Sequence, residues 1–198
     1  MDFLTQDQIG RLLRAASGNQ RDYLMIGLGY NAGLRAQEIC SLTRADVDVS
    51  TAETYITIQR LKGSKRTTTK LLPAIGNALR EYVKNMSPDE YLFKGNRRSM
   101  VSRIVVRQSK QVILGPHISY SAFYALFAKY CRQAGIPEHL HNPHALKHAS
   151  AMTVLPIGGV KAVQKYLGHA SASSSLAYLH ITKETDAAVE QAFAGVGI

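Results

Sequence analysis

The chain is poor in cysteine, in long apolar runs and in acid. Its two cysteines, Cys40 and Cys131, lie far apart among 198 residues and in no CxxC pattern. Neither a disulfide framework nor a thiolate zinc site is indicated, and a reduced cytoplasm is the expected compartment. No apolar run approaches the roughly 18 residues of a membrane-crossing helix, and the opening MDFLTQDQIG has no signal-peptide profile. Acids are few against bases: 14 Asp+Glu stand against 24 Lys+Arg, a formal net charge of +10. With 45% hydrophobic and 19% charged residues the composition excludes disorder, and the length fits one large domain with a proper core.

The charge is concentrated. Residues 60–110 hold 13 Lys/Arg and 3 acids, leaving 11 of each sign elsewhere. A basic segment of this kind is either a solvated surface or a docking face for a polyanion held in a salt-dependent way. The second reading makes nucleic acid the expected partner. Arg66, Arg97, Arg98 and Arg103, with Lys65, are its candidate DNA contacts.

Thr5 reads as an N-cap for a helix over 6–16. A second helix over 20–31 is apolar nearly all round and is expected to be buried. A short third helix spans 34–42. Alternation over 53–59, a basic turn at 62–66 and a β-branched return over 67–72 predict a β-hairpin or small antiparallel sheet. Helix returns over 76–86. Within the basic segment 91–115, residues 103–114 have the character of a strand or hairpin. An aromatic helix follows over 119–134. The last third reads as helices over 143–155, 159–167, 174–181 and 183–194. The fold class is mainly α with a small antiparallel β-sheet.

Four histidines fall within ten residues: His139, His141, His144 and His148. His144 and His148 stand four apart and could share a helix face, but no HExxH glutamate, nearby Asp or cysteine at ligand spacing accompanies them. No metal site is expected. His139 and His141 read as capping or packed residues, and His148 as a structural or supporting one. Cationic groups recur elsewhere in ordered motifs. Arg35 follows a helix-breaking glycine, Lys62 sits at a hairpin tip, and His144 and Lys147 share a helical face at i,i+3. His169 ends a helix, with Tyr178 nine residues beyond. Alone, each has a bland reading as a capping, surface or packed residue; it is the joint pattern that carries chemistry.

In order, the chain reads AGLRAQE at 32–38, LKGSK at 61–65, HALKH at 144–148, LGH at 167–169 and SSSLAY at 173–178. This series resembles the catalytic domain of the tyrosine recombinase, or phage integrase, family. That family is marked by an AGLR-x-x-E box, a GKGxK hairpin, HxLRH, LGH and a following tyrosine. The resemblance covers roughly residues 5–185.

It implies a site-specific DNA recombinase or integrase that cleaves and rejoins strands through a 3′-phosphotyrosine, with no metal, ATP or other cofactor. Arg35, Lys147 and His169 would hold the phosphate, and Tyr178 would attack it. His144 would take the tyrosine proton or position the phosphate, and Lys62 would protonate the departing 5′-oxygen, with Lys65 its rival. Lys147 stands where the family has a second arginine; it keeps the charge but replaces a bidentate fork with a point contact. Two alternatives stay open: a type IB topoisomerase-like relaxing enzyme, and a DNA-binding relative whose chemistry Lys147 has weakened. The resemblance further implies double-stranded DNA as partner and a head-to-tail tetramer on it. In isolation the chain could be a monomer, on the nucleoid and away from membranes. We expect 1–198 to be a single catalytic domain without the family's N-terminal core-binding domain. The last helix and tail, 183–198, would dock on a neighbouring protomer or pack on its own domain.

Overall fold

A computed structural model describes residues 3–60, 66–95, 101–107 and 110–168, together with Ser175 and Tyr178; of residues 101–116 it describes the strand pairing alone. Thr5 opens α1 (Gln6–Ala16) as expected, with a capping box in which its hydroxyl accepts from the Gln8 amide and the Gln8 side chain accepts from the Thr5 amide. Helix α2 (Gln20–Asn31) is the buried centre that its composition demanded, with Leu24, Met25, Ile26 and Leu28 all inaccessible to solvent. One polar group enters with it: Asp22 is buried and accepts from the Tyr130 hydroxyl at 3.0 Å.

The third helix is shorter than anticipated, α3 (Ala36–Cys40), because Arg35 remains extended and serves as its N-cap. The alternating segment becomes β2 (Tyr55–Ile58). It pairs antiparallel with β3 (Thr67–Lys70) in the register Tyr55↔Lys70 to Ile58↔Thr67, turning Ile56 and Ile58 into the core. A two-residue strand, β1 (Val47–Asp48), completes a three-stranded sheet on the other edge of β2. Helix α4 (Pro73–Tyr82) starts three residues earlier than the apolar period suggests, since Pro73 occupies its first turn with a pre-set φ.

The basic segment contains an antiparallel pair, β4 (Val101–Arg107) and β5 (Lys110–His117). Helix α5 (Tyr120–Gln133) is capped by Ser119 and buries Phe123 and Phe127. Helix α6 (His144–Leu167) joins the two helices expected over 143–155 and 159–167. They meet at Gly159, whose φ of +64° and ψ of −173° break the helix after Pro156. Only a residue without Cβ takes that conformation freely. The break folds the two halves of α6 together, packing Ala151 and Leu155 against Val163 and Leu167 in a second apolar cluster that also takes Tyr178.

Helix α2 packs against α1, α4 and α6, and α3 packs on α5, so the main core lies around α2 and the sheet covers one side. No helix among the described residues is long and apolar enough to cross a membrane. The helices expected over 174–181 and 183–194 lie outside the described residues, Ser175 and Tyr178 apart.

Gly33 sits at the junction of this arrangement with φ +58°, and a Cβ there would lie 2.4 Å from Leu167 Cδ2. Gly33→Ala should therefore combine left-handed strain with overpacking against the end of a leucine side chain, together about 2–4 kcal/mol. A drop in melting temperature of about 5–15 °C by calorimetry is the expected result; an unchanged value would show that the turn relaxes freely.

Candidate active site

The turn between α2 and α3 is held from three directions. The Arg35 amide donates to Glu38 Oε2 at 2.8 Å, and the Arg35 guanidinium donates from Nη1 to Glu38 Oε1 at 2.9 Å. Glu38 is three residues into the helix, the position from which an acid reaches back to a cap. Its carboxylate is 1% exposed, while the Arg35 side chain keeps 20% exposure and so still faces outward.

Behind Glu38 stands Arg60, with its side chain wholly buried. A guanidinium has five N–H donors, and each of Arg60's has an acceptor. Nε donates to Thr67 Oγ1, Nη1 to the Gly33 carbonyl and to Glu38 Oε2, and Nη2 to the carbonyls of Ala32 and Tyr166, all within 2.9–3.2 Å. One side chain thus ties both roots of the β2–β3 hairpin to the AGLR turn and to the end of α6. Tyr166 adds a second tie: its hydroxyl donates to the Asn31 carbonyl and accepts from Ser150 Oγ at 3.1 Å.

Lys147 points into the same region from the first half of α6. It is 6% exposed, and among the described residues its Nζ has no hydrogen-bond partner. Burial, then the charges of Arg35 and Arg60, pull its amine down to about 7, with Glu38 acting in the opposite sense. A buried, unpartnered amine beside two guanidinium groups is a poor element of stability. It is well suited to receive an anion.

Tyr178 is 2% exposed, seated on the apolar cluster of α6. Its hydroxyl lies 3.0 Å from Nδ1 of His148, with the two rings tilted at 54°. Burial raises the phenol above its ordinary range, while the Arg35 charge draws it back. His148, read from the sequence as a supporting residue, is the side chain that meets the tyrosine. His144 is exposed at the first position of α6.

Of the sequence candidates, Arg35, Lys147 and Tyr178 are brought into one electrostatic neighbourhood. His169 follows Gly168, which caps α6 in the left-handed conformation at φ +65°, and itself lies outside the described residues. So do Lys62, Lys65, Arg97 and Arg98. Arg66 is exposed just before β3, and Arg103 pairs with Leu114 in the β4–β5 ladder. Arg66, Lys70, Lys161 and Lys165 border a cleft of about 810 Å³ between β3 and the second half of α6.

The sequence assigned no task to Glu38 or Arg60 and only a supporting one to His148. Glu38 was legible as the third residue of a capped helix. Arg60 continues the inward period of Ile56 and Ile58, but a charge in that phase reads as a strand end. His148 shares a helix face with Ala151 and Leu155, the face that Tyr178 covers. Both cysteines are buried thiols pushed up to about 12 by desolvation, so neither is poised as a nucleophile. Among the described residues no three His, Cys, Asp or Glu side chains converge as metal ligands would.

A partly exposed arginine braced by a buried acid, a second buried cation and a tyrosine held against a histidine lie together on this mainly helical scaffold. The model of the phage integrase family matches residues 2–185, and the chain belongs to that family. A tyrosine recombinase of Pseudothermotoga lettingae is 33% identical over 186 residues, covering 92% of this chain and 57% of that protein. The tyrosine recombinase XerA of Thermococcus kodakarensis is 29% identical over 184 residues, covering 91% and 58%. The crystal structure of XerA recombinase shares the fold at a TM-score of 0.72 and 26% identity, over 98% of this chain and 64% of that one. The chain therefore spans rather less than two thirds of these relatives.

Proposed function

We propose that the chain is a site-specific DNA recombinase that cuts and rejoins strands through a covalent phosphotyrosine. The observation that carries this reading is the seating of Tyr178, its hydroxyl buried on His148 and within the field of Arg35. A phosphodiester gains negative charge on its equatorial oxygens as a fifth ligand approaches, and fixed cations aimed at those oxygens supply most of the stabilisation. Arg35 serves as one such donor, with its fork braced by Glu38. Lys147 and His169 serve as the others. Tyr178 Oη bonds to phosphorus, the bond to the 5′-oxygen breaks, and an ammonium on the hairpin, Lys62 or Lys65, protonates the leaving oxygen. The strand end is kept as a 3′-phosphotyrosine, so attack by a 5′-hydroxyl reverses the reaction without ATP.

Duplex DNA is held by the basic segment, Arg66, Arg97, Arg98 and Arg103 included, with the chain on the nucleoid in the cytoplasm. Family resemblance supports a tetramer on DNA in which 183–198 docks on a neighbour.

The test is direct. Incubation with a pool of randomised duplexes, nicked so that the released 5′ end diffuses away, should give an SDS-resistant adduct, with phosphotyrosine on the peptide that holds Tyr178. No adduct across the pool between about pH 6 and 9 would overturn the reading. The rival, a DNA-binding relative with weak chemistry, is favoured by one observation, the Lys147 amine drawn down to about 7.

That amine gives the reaction a pH dependence with a definite sign. Below about 7 it is already charged when DNA arrives; above that value each productive encounter must first add a proton. Adduct formation at sub-saturating DNA should therefore fall as pH rises through 7, by up to about tenfold per unit. Lys147→Arg should remove this limb and leave the rate equal or higher. A large loss in that variant would show that the amine, and not its charge, is required.

A further inference from the structure

Lys62, His144 and His169 have been given their tasks by resemblance, yet the geometry leaves one task open: the phenolic proton must go somewhere as Tyr178 attacks. His144 is exposed at the start of α6. His148 is one turn further in, partly buried, with Nδ1 3.0 Å from Tyr178 Oη. This is hydrogen-bond reach for a general base acting on the atom that must lose its proton.

We propose that His148 is a catalytic residue, the base that accepts the Tyr178 proton at Nδ1 during cleavage and returns it during rejoining. The inference rests on the recombinase reading and assigns one step of it. The Oη–P bond forms, the bond from phosphorus to the 5′-oxygen breaks, and the proton passes from Oη to Nδ1, leaving an imidazolium. A hairpin lysine separately protonates the 5′-oxygen. In the reverse step the 5′-hydroxyl bonds to phosphorus, the phenolate leaves, and the imidazolium restores its proton.

Two further observations fit. Burial, then the positive charges of His144 and Lys147, holds the imidazole below its ordinary range, so the neutral, proton-accepting form is the resting one. The contact is also fixed from behind: His148 and Ala151 project from one face of the first half of α6, and Tyr178 packs on Ala151, Leu155, Val163 and Leu167. The hydroxyl is thus aimed at Nδ1 by the packing of its own ring.

The experiment compares wild type, His148→Ala and His148→Asn on a nicked duplex chosen from the reactive pool, in two forms. One has an ordinary 5′-oxygen leaving group; the other has a bridging 5′-sulfur, which leaves without an acid. Loss of a base should lower adduct formation in His148→Ala by about 10²–10⁴-fold on both forms. Asn, which can hold the hydroxyl but cannot take its proton, should not restore the rate. In the DNA-free protein, ¹⁵N-histidine NMR should show Nδ1 of His148 unprotonated and shifted by Tyr178→Phe, a readout that needs no turnover. Rates within threefold of wild type in His148→Ala, rescue by sulfur or by Asn, or a protonated Nδ1 would each overturn the assignment. Wild type with no adduct on either form would instead overturn the recombinase reading, and the assignment with it.

Discussion

Tyr178→Phe should reduce the covalent protein–DNA adduct to background, a loss of at least about 10³-fold, because the variant has no atom that can bond to phosphorus. Ten tyrosines in the chain compete for this role on paper. Tyr166 packs against the same apolar cluster, but its hydroxyl is committed to Asn31 and Ser150. The phenylalanine ring should keep the place of Tyr178 on Ala151, Leu155, Val163 and Leu167. Among the described residues one hydrogen bond, to His148, is lost, which removes about 0.5–1.5 kcal/mol. DNA retention in a salt titration should be nearly unchanged, since the basic segment is untouched. The combination matters: adduct gone, binding kept, melting temperature within a few degrees. If the adduct persists in Tyr178→Phe, some other side chain is the nucleophile.

Arg60→Met should be the most destabilising single substitution in the centre. It replaces five donors by none, leaving the carbonyls of Ala32, Gly33 and Tyr166 and one oxygen of Glu38 short of partners in a region closed to water. Breaking a buried ion pair from one side costs about 3–5 kcal/mol. For a domain of this size that is a fall of about 6–20 °C in melting temperature. Activity should fall further than stability, even at temperatures where the variant remains folded. Glu38, released on one side, no longer holds Arg35 in a single orientation, and misplacement of a phosphate donor by an ångström costs about 10²-fold. Arg60→Lys should fall between the two, keeping the charge near Glu38 but losing the fork. A Met variant as stable and as active as wild type would show that Glu38, Arg35 and the Tyr166 hydroxyl hold the turn without Arg60.

Much of the fold could be read from local chemistry. Thr5 with Gln8, the uniformly apolar α2, the alternation that ends in Ile56 and Ile58, and Ser119 ahead of an aromatic helix each name their element without tertiary help. Strand β1 escaped because two residues carry no period; Val47 and Asp48 are strand only because Ile56 and Tyr55 lie beside them. The early start of α4 was hidden because the apolar face begins at Ile75, after the turn that Pro73 sets.

The site divides the same way. Arg35 and Tyr178 stand in motifs, and motifs are linear. The brace behind them is not: Arg60 reaches partners up to 106 residues away, and His148 meets Tyr178 across 30 residues. The contacts with Tyr166 and Tyr178 draw on both halves of α6, which meet at Gly159, and no short window of sequence contains them.

Arg60 and Thr67 stand on either side of the segment 61–66, and one guanidinium grips both. Whatever the intervening residues do, they enter and leave through a doorway clamped to the AGLR turn. Insertions or deletions between those two ends are thereby kept from displacing Arg35 and Glu38. Lys62 and Lys65 belong to the loop, so substitutions there act on the proposed acid and leave the turn behind it in place.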